Sequence, residues 1–509
     1  MTRPIPQQRP PGRTASRVSQ ALAADRLGVW TVVAIVGGAI APMTVVAGGA
    51  TTGWAVSHVI AIPLAYLVVA VLLMVFSGGY TAMIGRGSVS AGPLYTVAAR
   101  GLGRPIGVAA GLVALVAYIQ MQAGLFGGFG AVGAPLLQQQ FGWNAPWWAW
   151  SCAAWAIVGL LAVLFIDRVG QVLAVLLFAE VVVTLVYTAV MFAHPAGRRV
   201  DLTAVSPGQL VVAGFGAACA IAIAGYVGFE GTGNLSEESK NPRRTVPTAT
   251  IVAIGVAFLL YGGAALAMVV TAGPGKIVEA ATNGGSDTMF NLAAPYVPDW
   301  LIVVGRFLFL SSLFASALAF HSVIARYLFT LGREGVLFRS LARTSARSNA
   351  PIAASITQTV IGLLIIGLYV VNGWKPLTQM FYQLTIVGGL GVLILMIIAS
   401  AATTVFFARR QNRAGISVVR GVIAPALSTL ALAWVLVETF QQFTILIGVD
   451  AGSPLRWFFP GLFGVAFVVG IGWALNLRRR PDVYAAIGTS KPPQPVTAQP
   501  APAVAPAGW

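Results

Sequence analysis

Charge is what this chain has least of. Charged residues make up 9% of the sequence, against roughly a quarter in soluble domains. Acids are the rarer sign, with 14 Asp and Glu in 509 residues. A chain that is also 57% hydrophobic is not a large soluble protein, and a polytopic membrane protein remains. Cysteine is equally rare. Cys152 and Cys219 both fall inside apolar runs, which excludes a disulfide framework and predicts reduced thiols packed as small hydrophobes. Three histidines with no cysteine cluster provide no metal-site constellation. Neither a Walker A pattern nor a nucleophile elbow occurs. The sequence therefore predicts a protein that is not an enzyme and needs no cofactor. Any transport it performs has to be secondary, driven by an ion or by exchange. No cleavable signal peptide is visible.

Long apolar runs are what the chain has in quantity. Twelve are of about bilayer-spanning length: residues 29–50, 57–78, 105–133, 147–166, 170–193, 210–235, 246–271, 299–331, 352–371, 377–407, 420–440 and 455–476. With the N-terminus inside, 25 of the 31 Lys and Arg fall in inner segments. Five (Arg198, Arg199, Lys276, Lys375 and Arg456) fall in outer loops, and Arg306 lies within a run. This is the positive-inside pattern, so the net charge of +17 reports topology and not a nucleic-acid partner. The expectation is an all-α protein of twelve transmembrane helices in the cytoplasmic (inner) membrane, in contact with lipid, with both termini cytoplasmic. Residues 1–25 are polar, with Arg3, Arg9, Arg13 and Arg17 spread through them, and the stretch from Ser490 onward is rich in proline and alanine. Residues 1–25 and 481–509 are expected to be disordered tails.

Two of the runs are interrupted, and they lie five helices apart. The first reads Val36-Gly37-Gly38-Ala39-Ile40-Ala41-Pro42-Met43. Pro42 removes a backbone donor and clashes with the preceding turn, while the two glycines add freedom. The sixth carries four glycines in nine residues between Gly225 and Gly233, with Glu230 among them. Non-helical backbone at that depth is tolerated only where it is buried in protein or lines a cavity, and such breaks in two halves point to a transporter's binding site. The pairing predicts a five-plus-five inverted repeat: residues 26–205 as the first half, 206–410 as the second, and two further helices in 411–480. Two ordinary kinks are the alternative, since Gly and Pro are frequent in membrane helices.

Several motifs then carry a family resemblance. Gly228-Phe229-Glu230, followed by Leu235-Ser236-Glu237-Glu238-Ser239-Lys240-Asn241-Pro242-Arg243-Arg244-Thr245-Val246-Pro247, resembles the sixth-helix signature of the amino acid–polyamine–organocation (APC) permeases. Ala325-Arg326-Tyr327, Leu331-Gly332-Arg333-Glu334-Gly335-Val336-Leu337 and Ala350-Pro351 are similar to that family's segment after the eighth helix. Ala91-Gly92-Pro93-Leu94-Tyr95, with Gly101, Gly107 and Gly111, resembles the start of its third helix. The resemblance covers roughly residues 28–410. Many members have a Gly-x-Gly turn in the first helix, whereas this chain has Gly37-Gly38 followed by Pro42, which leaves the substrate open.

A broken helix offers free N–H groups on one half and free C=O groups on the other, and so attracts a carboxylate at one end and an ammonium at the other. An α-amino acid zwitterion presents both. The carboxylate is expected near the amides of Gly38, Ala39 and Ile40, with Gly37 and Pro42 shaping the break. The amino group is expected near the carbonyls of Ala222, Ala224 and Gly225, beside Gly228. Tyr226 and Phe229 are candidates for an aromatic lid or for plain helix packing. Glu230, near the membrane centre, either braces an unwound amide or contacts substrate or proton. Glu180 sits deep in the fifth run as either a proton carrier or a structural carboxylate. The resemblance implies a lysine at about that place in some proton-coupled members. It also implies a sodium role for Ser311 and Ser312, against simple packing; no other metal ligand is expected. His321 is either a titrating group or a packed, hydrogen-bonded one. Glu237 and Glu238, just before Lys240, Arg243 and Arg244, either close an inner gate with Arg333 and Arg339 or lie in a solvated loop.

The reading is a secondary active permease that moves amino acids by alternating access, with a proton as the expected coupling ion. The alternatives are a polyamine or organocation carrier, an amino-acid exchanger, and, in another class, a ligand sensor that does not transport. A polyamine favours an acidic cavity, and only Glu180 and Glu230 lie deep here, which favours a zwitterion.

Overall fold

A computed structural model describes residues 27–84, 93–164, 166–236, 239–345, 350–413 and 415–494. Among these the regular elements are helical, and one isolated bridge, Leu27 to Ser239, is the extended pairing. The chain opens with α1 (Val29–Ile40), which breaks at Ala41 and resumes through a π-helical stretch (Thr44–Ala50) into α2 (Thr51–Ser57). α3 (Ile62–Ile84), the short α4 (Pro93–Leu102), α5 (Arg104–Phe141), α6 (Trp147–Leu164) and α7 (Ile166–Ala193) follow. α8 (Phe215–Tyr226) breaks in turn and resumes as α9 (Gly231–Asn234). Then come α10 (Pro242–Ala272), α11 (Ile277–Gly284), α12 (Thr288–Ala293), α13 (Asp299–Arg333) and α14 (Ile352–Val371). The last are α15 (Gln383–Ala408), entered through a second π stretch (Pro376–Tyr382), α16 (Ala424–Gln441), α17 (Phe443–Leu446), α18 (Leu455–Leu477) and α19 (Pro481–Ala486).

Ten of the described segments are long and apolar enough to cross a membrane. The broken α1–α2 segment and α6 hold the two apolar runs that remain. In a bilayer no hydrophobic force drives helices together, so close backbone approach has to do it, and small residues permit that. α5 is the hub, packed against α4, α6, α13, α15 and α18. A methyl group on Gly388 of α15 would meet the Ala117 carbonyl of α5 at 2.8 Å, and one on Gly389 would meet Ala224 of α8 at 2.6 Å. These contacts seat α15 against both the hub and the second broken segment.

The tail expected from residue 481 onward starts differently. Pro481–Ala486 is helical, and the chain through Ser490 folds onto the ends of α13 and α5. The Ser490 amide donates to Glu334 Oε1 at 2.7 Å. Arg104 donates to the Ala485 carbonyl at 3.3 Å and lies 5.0 Å from the Tyr484 ring centre. A buried carboxylate needs donors, and this segment supplies one, which composition alone did not reveal. Residues 1–26 and 495–509 lie outside the described residues, as do Glu237 and Glu238.

Candidate functional site

The first break sits at Ala41, whose φ of 46° and ψ of 77° are left-handed. The cause is local. A residue before proline is pushed out of the helical region, and Pro42 has no amide to continue the ladder. The consequence falls downstream: the Thr44 amide donates instead to Ser312 Oγ of α13 at 3.2 Å. Glu180 of α7 faces the Met43 amide and the Ser312 hydroxyl. The Ile40 carbonyl accepts the Tyr261 hydroxyl of α10 at 2.5 Å. Three helices therefore hold the groups that this break releases.

The second break runs from Val227 to Glu230. Gly228 has a φ of 119°, which a side chain would make strained. The Val227 and Phe229 amides reach back to the carbonyls of Ala224 and Tyr226 at 3.4 and 3.2 Å. Glu230 spans the turn. Its Oε2 accepts the Gly228 amide at 2.9 Å, and its Oε1 accepts the Tyr118 hydroxyl of α5 at 2.7 Å.

Between the two breaks lies a cavity of about 80 Å³. Ile40, Ala41, Thr44, Val45, Gly48, Gly49 and Thr52 line it from the first segment, and Ile221, Ala224, Gly225 and Val227 from α8. Met121 and Leu125 of α5, Ser316 and Phe320 of α13, and Phe381, Tyr382, Thr385 and Ile386 complete the wall. The Thr44 hydroxyl is buried and has no hydrogen-bond partner. The Tyr382 hydroxyl lies within hydrogen-bonding reach of Thr52 and Ser286.

The structure brings some of the expected residues together and separates others. Ile40, Ala224 and Gly225 line the cavity. Gly38 and Ala39 lie inside the regular turns of α1, where amides serve the helix's own carbonyls. The released amides belong to Met43 and Thr44, because the proline rather than the glycine pair sets the break. Gly37 packs against Leu177 of α7, and Ala222 lies one turn inside α8. Pro42 and Gly228 shape the breaks without lining the cavity.

Neither aromatic lid candidate reaches the cavity. Tyr226 donates to the Tyr66 carbonyl at 3.1 Å and packs between the rings of Tyr66 and Tyr261. Phe229 is buried edge-on against Phe76. Helical turns place their side chains toward α3 and α10 instead. The aromatic rings at the cavity are Phe320, Phe381 and Tyr382, brought there by α13 and by the π stretch that leads into α15, and no motif in the sequence marked them. Thr44 was more accessible to reasoning, being two residues past the proline.

Ser311 turns back to the Leu308 carbonyl at 2.9 Å, so Ser312 alone of the pair meets the first break. His321 lies in a buried polar network away from the cavity. Its Nδ1 is 3.2 Å from Gln122 Nε2, and its Nε2 is 2.8 Å from Ser355 Oγ. Among the described residues no group of His, Cys, Asp and Glu is placed to hold a metal ion.

A bundle of membrane-length helices, two of its segments broken around one buried cavity, is the setting in which kinship becomes informative. Residues 27–469 match the model of the amino acid permease family. The match covers most of the chain and takes in both breaks and every wall of the cavity: this membrane protein belongs to the amino acid permease family of the APC superfamily.

Proposed function

We propose that this permease is a secondary active transporter that carries amino acids across the cytoplasmic membrane by alternating access, with a proton as the coupling ion. Twelve crossings, a five-plus-five inverted repeat with two added helices, and cytoplasmic termini form the frame of the reading. One observation carries it: the cavity is bounded by both helix breaks at once. The resumed first segment starts at Pro42 with its positive end and with the unpartnered Thr44 hydroxyl, a seat for the substrate carboxylate. α8 ends at Tyr226, and the last carbonyls of a helix lack partners of their own. The Ala224 carbonyl, which accepts the Val227 amide only at 3.4 Å, and that of Gly225, both beside the cavity, suit the ammonium.

Coupling is assigned to Glu180. Its carboxylate faces the Met43 amide and the Ser312 hydroxyl, so its charge bears directly on the geometry of the first break. A proton on Glu180 weakens its hold on the Met43 amide, which lets α1 move relative to α13. Glu230 is assigned the role of a strut, since both its oxygens are bonded.

The test is uptake of a labelled amino-acid panel into proteoliposomes, with and without an inward proton gradient. Accumulation that collapses with a proton ionophore is expected. Binding without flux would replace the transporter reading with that of a sensor.

A further inference from the structure

We infer that the substrate of this cavity is a neutral α-amino acid whose side chain is apolar. The inference rests on the transporter reading of the same cavity and narrows it.

The first ground is charge. Among the described residues, no Asp, Glu, His, Lys or Arg lines the cavity. Of the two deep carboxylates nearby, Glu230 is committed to Tyr118 and Gly228, while Glu180 faces the first break from outside the cavity wall, its Oε2 buried without a partner. A lysine, glutamate or polyamine entering here brings a charge that finds no counter-charge in the cavity wall, and burial of an unpaired charge is strongly unfavourable. The zwitterionic backbone of an amino acid escapes that penalty, because helix ends supply partial charges of both signs.

The second ground is the state of the polar groups in the wall. Thr52 Oγ1 donates to the Gly48 carbonyl at 2.6 Å, and Thr385 Oγ1 to the Phe381 carbonyl at 2.7 Å. These hydroxyls are spent on their own helices. Thr44 Oγ1 has no partner, and it sits on the broken segment where the substrate backbone belongs. A polar side chain on the substrate would leave its own donors and acceptors unpaired, a loss of about 1–3 kcal/mol each in other buried sites. The Tyr382 hydroxyl is within reach of Thr52 and Ser286, and apart from it and Ser316 the surfaces that remain for a side chain are apolar: Met121, Leu125, Ile221, Phe320, Phe381 and Ile386.

The deciding experiment measures thermal stabilisation and competition in counterflow on the full-length reconstituted protein, with alanine, leucine, lysine, glutamate and putrescine as probes. Alanine and leucine are expected to stabilise and compete. Lysine, glutamate and putrescine should need on the order of a hundredfold higher concentration, the scale set by an unpaired buried charge. A charged probe that matches leucine overturns the inference and leaves the transporter reading standing. Silence from the whole panel overturns the amino-acid reading of the cavity, and this inference with it.

Discussion

Tyr118 and Glu230, on helices far apart in the chain, share a hydrogen bond of 2.7 Å beside the second helix break. The other carboxylate oxygen takes the Gly228 amide, so one side chain ties an unwound turn to the hub helix. Glu230→Ala would leave a buried amide and a buried hydroxyl without partners, each costing about 1–3 kcal/mol. The thermal midpoint of purified Glu230→Ala is expected to fall clearly. Glu230→Gln should fall less, because its carbonyl oxygen still accepts one of the two bonds. An unchanged midpoint in Glu230→Ala would remove the strut.

Gly228→Leu tests the break itself. At φ 119° a branched side chain is strained by about 1–3 kcal/mol, and relief comes only by refolding the turn. Uptake should be lost while membrane insertion, followed by fractionation, stays normal. Near-normal uptake would detach the second break from the mechanism.

Glu180→Gln keeps the shape of the side chain and fixes its charge at zero. Gradient-driven accumulation should vanish, while counterflow, which needs no net proton movement, should persist. Ser312→Ala, which removes the acceptor of the Thr44 amide, should weaken both. If Glu180→Gln still accumulates substrate against a gradient, the carboxylate is structural and sodium dependence becomes the next measurement.

Glu334 lies just past the end of α13, beneath the C-terminal segment. Burial pushes its carboxyl up from the ordinary 4.5 to about 7, against the opposing pull of the Ser490 and Gly488 amides, Tyr95 and Arg333. The folded chain thus holds this proton to higher pH than the unfolded chain does. Its contribution is complete below about pH 4.5 and disappears as pH rises through about 7, with an upper bound of about 3 kcal/mol. Thermal stability should decline between pH 5 and pH 8, and Glu334→Gln should flatten that part of the profile. Equal slopes in the two proteins would remove Glu334 as the cause.

The membrane class, the apolar runs and the two interrupted segments were all legible in the sequence, because each follows from local composition. Pro42 and the glycines between Gly225 and Gly233 forbid continuous helix wherever the rest of the chain goes. What surrounds those breaks was not legible. Glu180 meets Met43, and Tyr118 meets Glu230, only because α7 and α5 pack beside the broken segments. Phe320, Phe381 and Ile386 look like any other apolar residues along their helices; α13, α15 and the π stretch that leads into it turn them toward the cavity. Tyr226, the last residue of α8, and Phe229, within the break, pack instead against rings of α3 and α10. Steric limits on the backbone act within a few residues and are written in the sequence, whereas the walls of a cavity are set by which helix faces meet, and in this bundle tertiary packing decided that.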